Sequence, residues 1–284
     1  MDQAYLSLVE RVLKNGVRKT NRTGTDTISS FAEFYKIDLA HGFPLLTTKK
    51  MIFRSVILEL LWYLRGENHI RWLRDENDCH IWDAWADKDG YVGPIYPVLW
   101  RKFPYLEYEE IEFEGVGAAF SSHKKTIQEF DQVQYVIDEI IKNPNSRRLV
   151  ISAWHPGLLK EMALPPCHLM VVFNVADGKL NCHLTQRSGD IALGIPFNLA
   201  CYSALTMMIA AQCKLKPGTF AHTIVDAHIY ENHVDGLKEQ LTRKPFDPPT
   251  LKINYKDSIN KYSLDDFQLE GYQHHPFLKF EVAV

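Results

Sequence analysis

The chain has 284 residues, 46% hydrophobic and 24% charged, with 32 basic against 35 acidic side chains and a formal net charge of -3. That is the composition of a folded globular protein, and it excludes the strongly basic surface of a nucleic-acid or anionic-membrane binder, so no DNA and no membrane partner is expected. The first residues, Met1-Asp2-Gln3-Ala4-Tyr5, lack the basic and apolar regions of a signal peptide, and no run approaches the apolar length that spans a bilayer. Cysteines 79, 167, 182, 201 and 213 form neither a C-x-x-C pair nor an even framework. A reduced, cytoplasmic protein is expected, without a zinc site built on cysteine spacing. His228 and His233 stand five apart with no third ligand nearby, so no metal is expected.

Apolar Leu6, Val9, Val12 and Leu13 recur at helical spacing and predict a helix over 2–15. A polar turn from Thr20 to Thr25 precedes two alternating strands around 26–38. Thr47-Thr48-Lys49-Lys50 leads into a buried helix over 52–64. Glu59 lies inside that apolar run: facing inward, desolvation would raise its pKa and suit it to proton relay; facing outward, it is an ordinary solvated carboxylate. Trp82 and Trp85 are either core residues or a stacking wall for a flat heterocycle. Residues 103–130, rich in glutamate, read as a solvated loop or hairpin, a variable surface insertion. A helix over 130–142, capped by Asp131 or a neighbour, ends near Asn143-Pro144. Then follow a strand over 148–154, a hairpin over 169–185, a long apolar helix over 197–213, a strand over 219–225, a helix over 230–242 and strands over 250–254 and near 278–282. No repeat or linker breaks the chain. A single domain over 1–284 is expected, of α+β class, with a mixed sheet packed with helices.

The densest chemistry lies in about thirty residues: Leu164-Pro165-Pro166-Cys167-His168, then Gln186-Arg187-Ser188-Gly189-Asp190, then Pro196-Phe197-Asn198. They offer a nucleophile, a fixed cation, a carboxylate and an amide. The proline pair stiffens the approach to Cys167. The alternative is a buried, inert cysteine in a hairpin. His168 is adjacent in the strand and so points to the opposite face, which argues against a Cys-His dyad. Arg187, on the paired strand, is the better thiolate-stabilising neighbour. Arg22, Arg147, Arg148 and Arg187 flank strands or turns: converging guanidinium groups make a phosphate site, whereas scattered ones are surface residues. Asn198 is either a helix cap or an amide presenting donor and acceptor to a pyrimidine edge.

Taken in order, the motifs resemble the thymidylate synthase family over nearly the whole chain. They include Asn21-Arg22-Thr23-Gly24-Thr25, Phe43-Pro44-Leu45-Leu46-Thr47-Thr48-Lys49-Lys50, Glu59-Leu60-Leu61-Trp62, Ile81-Trp82-Asp83 and Gly93-Pro94-Ile95-Tyr96. Ser146-Arg147-Arg148, Pro165-Pro166-Cys167-His168, Gln186-Arg187-Ser188, Leu193-Gly194-Ile195-Pro196-Phe197-Asn198, Asp226-Ala227-His228-Ile229-Tyr230 and Phe280-Glu281-Val282-Ala283-Val284 complete them. The resemblance implies a homodimer formed through the sheet, with dUMP and 5,10-methylenetetrahydrofolate as substrates and no metal. It implies that Cys167 attacks C6 of dUMP, with Glu59, Tyr96, Asp190 and Arg187 completing the catalytic set. Arg22, Arg187, Ser188 and Gln186 would hold the nucleotide, with Arg147 and Arg148 acting in trans. Asn198 would read the base, and His228 and Tyr230 the ribose hydroxyl. Ile81, Trp82, Trp85, Leu164, Asp190, Leu193, Gly194, Phe197 and Val284 would line or close the folate site, with Lys49 at its glutamate tail.

Four residues depart from the family pattern: Pro97 and Leu99 stand where a glycine and a glutamine are usual, Val225 replaces a glycine, and His155 an asparagine. They are expected close to the ligand cavity, where they bear on the fate of the transferred methylene. Three activities follow: reductive methylation of dUMP to dTMP with release of dihydrofolate, hydroxymethylation of dUMP with release of tetrahydrofolate, or non-catalytic nucleotide or RNA binding.

Overall fold

Apolar spacing is realised in α1 (Asp2–Asn15), which buries Tyr5, Leu6, Leu8, Val9 and Val12. The computed structural model describes residues 1–21, 23–115 and 118–282. After β1 (Val17–Lys19), the two strands expected near 26–38 are one, β2 (Thr27–Asp38). Ala32 adopts a φ of 60° within it, which breaks the alternation, but both halves pair with the same neighbour. Residues Phe53–Arg65 form α2, buried along most of its length; it stops at Gly66, whose φ of 69° suits a residue without a Cβ.

Helix α3 (Tyr96–Arg101) is short and carries Pro97 in its first turn, where a missing N–H costs nothing. The glutamate-rich segment is a β-hairpin, β3 (Phe103–Gly115) and β4 (Ala118–Phe130), paired from Phe103↔Phe130 onward. Asp131 then caps α4 (Gln132–Lys142), its carboxylate accepting from Gln134 N at 3.0 Å. The main sheet continues with β5 (Val150–Ser152), β6 (His168–Ala176) and β7 (Lys179–Asp190). Asp177 and Gly178, both at positive φ, close the tight β6–β7 turn.

The apolar helix begins earlier than expected, as α5 (Gly194–Gln212), and the strand after it is longer, β8 (Lys216–Tyr230). By length and composition α5 is apolar enough to cross a membrane, contrary to the sequence expectation, yet most of it is buried. It is apolar all round because it packs against β7 and β8 on one side and α2 on another. After α6 (Val234–Thr242), β9 (Thr250–Ile253) pairs with β10 (Phe267–Glu270), a strand not foreseen. The strand expected near 278–282 does not form. That segment lies against α6 and His233 instead, with Phe280 over Gly236 and the Glu281 carbonyl bound by His233.

The architecture is therefore a mixed α/β fold built on a sheet of order β1-β2-β8-β7-β6-β5. Among the described strand pairs only β7 and β8 are parallel, joined by the α5 crossover. Helices α1 and α5 cover one face. The opposite face exposes Phe31 (83%), Phe34 (50%) and Met170 (39%). Pairing lapses at one level across three strands, at Ala32, Val225 and Arg187. Parallel β7 and β8 bring their carboxyl ends together, Asp190 beside His228, and antiparallel β2 adds Thr27 beside Tyr230. A crevice at such strand ends is the usual place for a ligand.

Candidate active site

A cavity of about 640 Å³ opens at these strand ends. Cys167 lines it where the Pro165-Pro166 turn enters β6. Its backbone N–H donates to the Tyr96 hydroxyl at 2.7 Å, and its carbonyl accepts from Arg187 N at 2.9 Å. The Arg187 guanidinium grips the same turn, donating from Nε to Pro166 O (2.9 Å) and from Nη2 to Pro165 O (2.7 Å). One arginine thus fixes the loop that presents the thiol and keeps further N–H donors at the cavity wall.

His168 also lines the cavity. The β6–β7 register shifts between His168 and Met170, just beyond this residue. The ring is stacked on Tyr96 at 4.6 Å. Nδ1 meets the Tyr202 hydroxyl at 3.1 Å, and the ring also bonds Asn198. Burial pushes its pKa down to about 3. A neutral ring so engaged is a structural neighbour of the thiol rather than a base for it.

Glu59 faces inward from α2, 8% exposed, and accepts from Trp82 Nε1 at 2.9 Å. Burial raises its carboxyl to about 7, against the hydrogen bonds from Trp82 and Tyr63. A carboxyl poised there exchanges protons readily near neutral pH. Tyr96 is held well above its ordinary pKa by burial, so its hydroxyl stays protonated beside Cys167.

Asn198 is inside α5, not at its cap, and only 6% exposed. The turn that leads into α5 is held by Asp190, whose Oδ1 accepts from Ala192 N (2.8 Å) and Leu193 N (3.3 Å). Gln186, Ser188, His228 and Tyr230 line the cavity beside Asn198. Ile81, Trp82, Trp85, Leu164, Leu193, Gly194 and Phe197 supply the apolar part of the same lining. Trp82 and Trp85 are edge to face at 5.5 Å.

Lys49 borders the cavity but is 4% exposed, with Nζ donating to Ala192 O under the Phe280 ring. Burial lowers its pKa to about 8. The neighbouring Lys50 is exposed. Arg147 and Arg148 are exposed before β5 and do not line the cavity of their own chain. Arg22 and Val284 lie outside the described residues.

The four departures are not among the described residues lining the cavity, though Pro97 and Val225 adjoin the lining residues Tyr96 and Asp226. Pro97 starts a helix, Leu99 is fully buried core, Val225 keeps a negative φ that needs no glycine, and His155 packs on Phe103 at 5.3 Å. Sequence reasoning missed further lining residues, Lys19 and Asp226 on strands β1 and β8 and Asn21, Phe277 and Leu278 on loops among them. The polar turn around Asn21 and the motif Asp226-Ala227-His228-Ile229-Tyr230 were the signals that pointed toward two of them. Set against known proteins, residues 3–284 match the family model described as Thymidylate synthase.

Proposed function

The chain belongs to the thymidylate synthase family, and from that premise we propose that it converts dUMP to dTMP as a single catalytic domain, with the 103–130 hairpin as a surface insertion. One observation carries the reading: Cys167, Glu59 and Asn198 line a single cavity with the apolar residues Trp82, Trp85, Leu193 and Phe197, and none of the departures is among its described lining residues. Addition of the Cys167 thiolate to C6 of the uracil makes C5 nucleophilic, dividing one hard substitution into easier steps. Asn198 offers an amide donor and acceptor to the base edge. Arg187 and Ser188, with Arg22, Arg147 and Arg148, are the phosphate set. His228 and Tyr230 stand at the ribose.

The cavity fits a reduced folate: Trp82, Trp85, Leu193 and Phe197 supply a flat apolar wall, and the Asp190 carboxylate lies at its edge. When bound, 5,10-methylenetetrahydrofolate supplies a one-carbon unit and the hydride that reduces it. The chain's own contribution is to keep water out. Trp82 is 5% exposed and tied to Glu59, so the wall and the proton-carrying carboxyl are positioned together. Glu59 holds or releases a proton toward the base, and the Tyr96 hydroxyl stands at the backbone of Cys167. The uncovered sheet face, with Phe31 and Phe34 exposed, suits a second copy of the chain, whose Arg147 and Arg148 would reach across to the phosphate.

The test is mass spectrometry of the nucleotide formed from dUMP and methylenetetrahydrofolate, with dihydrofolate followed by absorbance. Dihydrofolate rising in step with dTMP is the expected result. A hydroxymethylated nucleotide with tetrahydrofolate would establish the hydroxymethylase instead, and binding without product a non-catalytic role.

A further inference from the structure

Behind the cavity, outside its lining, His222 of β8 is fully buried. No step above uses it. Its Nδ1 lies 2.8 Å from the Tyr35 hydroxyl and its Nε2 lies 2.9 Å from Gln186 Oε1. Gln186 Nε2 in turn donates to the Ser188 carbonyl at 2.9 Å and to Asn198 Oδ1 at 3.1 Å. Tyr35, Gln186 and Asn198 are all buried.

The direction of this chain of bonds is fixed from one end. A backbone carbonyl only accepts, so the Gln186 atom facing Ser188 O must be the NH2 group. Its carbonyl therefore faces His222, which must donate from Nε2. Burial, with smaller effects from His168 and His183, holds the His222 pKa well below its ordinary value, so the ring carries a single N–H. Nδ1 is then the bare nitrogen and accepts the Tyr35 O–H. The second hydrogen of Gln186 Nε2 obliges Asn198 to turn Oδ1 toward it, which leaves Nδ2 as the donor end.

We propose that His222 and Tyr35 are positioning residues for base selection: through Gln186 they hold the Asn198 amide in one orientation. That orientation offers a donor to uracil O4 and an acceptor to N3–H. The flipped amide would match cytosine, whose N3 accepts and whose amino group donates. Flipping Asn198 would set two NH2 groups against each other and break a buried hydrogen bond. Selectivity is thus written partly in residues that never touch the nucleotide. The inference rests on the reading of the cavity as a dUMP site.

The experiment is calorimetric titration of the full chain with dUMP and with dCMP, for wild type, His222→Leu, His222→Gln and Tyr35→Phe. In His222→Leu the dUMP-over-dCMP preference should fall about fivefold or more, the worth of one buried hydrogen bond. Tyr35→Phe, which keeps the ring, should lose a smaller part. His222→Gln, whose amide can give the same hydrogen to Gln186, should keep most of the preference. Equal weakening of both nucleotides, or an unchanged ratio in His222→Leu and Tyr35→Phe, overturns the proposal while leaving the dUMP site intact. Should His222→Leu fail to fold, Tyr35→Phe decides alone. A wild-type chain that does not bind dUMP overturns the site reading itself, and this proposal with it.

Discussion

Cys167 and Glu59 separate two demands, bond-making and proton handling, and each gives its own test. Cys167→Ala should abolish turnover while dUMP binding persists, because the arginines and Asn198 are untouched; product from the pure variant would remove the thiol from the mechanism. Glu59 has a folded-state pKa of about 7 against an ordinary 4.5. The folded protein therefore keeps a proton that the unfolded chain has already released. Stability from this group is full below pH 4.5 and declines as pH rises toward 7, by about 3 kcal/mol in all. Glu59→Gln should thus melt at higher temperature than wild type at about pH 8, with the gap closing toward the acid end. Its turnover should fall about a hundredfold or more. Calorimetry across the pH range checks the first half, and identical melting at every pH would contradict it. Much of this site is legible in the sequence, because Cys167, Arg187 and Asn198 carry unusual chemistry in ordered motifs. The packing of His168 is not, because its partners Tyr96 and Tyr202 are distant in the chain. Nor is the engagement of Asp190 with the start of α5, which depends on the turn that joins them.

At the scale of elements, Asp131 joins three of them. It caps α4, and its carboxylate receives Arg101 from the end of α3 at 2.7 Å, with the β3–β4 hairpin emerging between. Arg101 is only 10% exposed in its side chain, so its partner is not an idle surface ion. Asp131→Ala should cost about 2 kcal/mol, a lost cap plus an orphaned guanidinium, read as a lowered denaturation midpoint with unchanged slope. A loss below the error of the measurement would show that neither bond matters. The hairpin beyond its base should be dispensable. Tyr105, Leu106 and Ile127 are exposed, so replacing 106–127 by a short glycine-rich turn should leave turnover intact. Elements with strong periodicity, α1, α2 and α4, were legible. Strand β10 was not, for four residues carry too little pattern, and neither was the tail near 278–282, where Phe280 packs on α6 at Gly236.

Over the whole molecule, the exposed Arg147 and Arg148 and the uncovered sheet face lead to a complementation test. Mixing inactive Arg148→Ala with inactive Cys167→Ala, under conditions of verified subunit exchange, should restore part of the activity. No recovery would mean that the arginines serve their own subunit or none. The topology has one more consequence, in the order of events during synthesis. Strand β2 is made early, yet its long neighbour in the sheet is β8, and Thr27 meets Tyr230. Until the ribosome has passed that tyrosine, β2 has an unsatisfied edge, and the parallel seam between β7 and β8 cannot close. The nascent chain therefore carries the unpaired β2 edge until β8 has been made. Its hazard is aggregation before completion rather than instability after it.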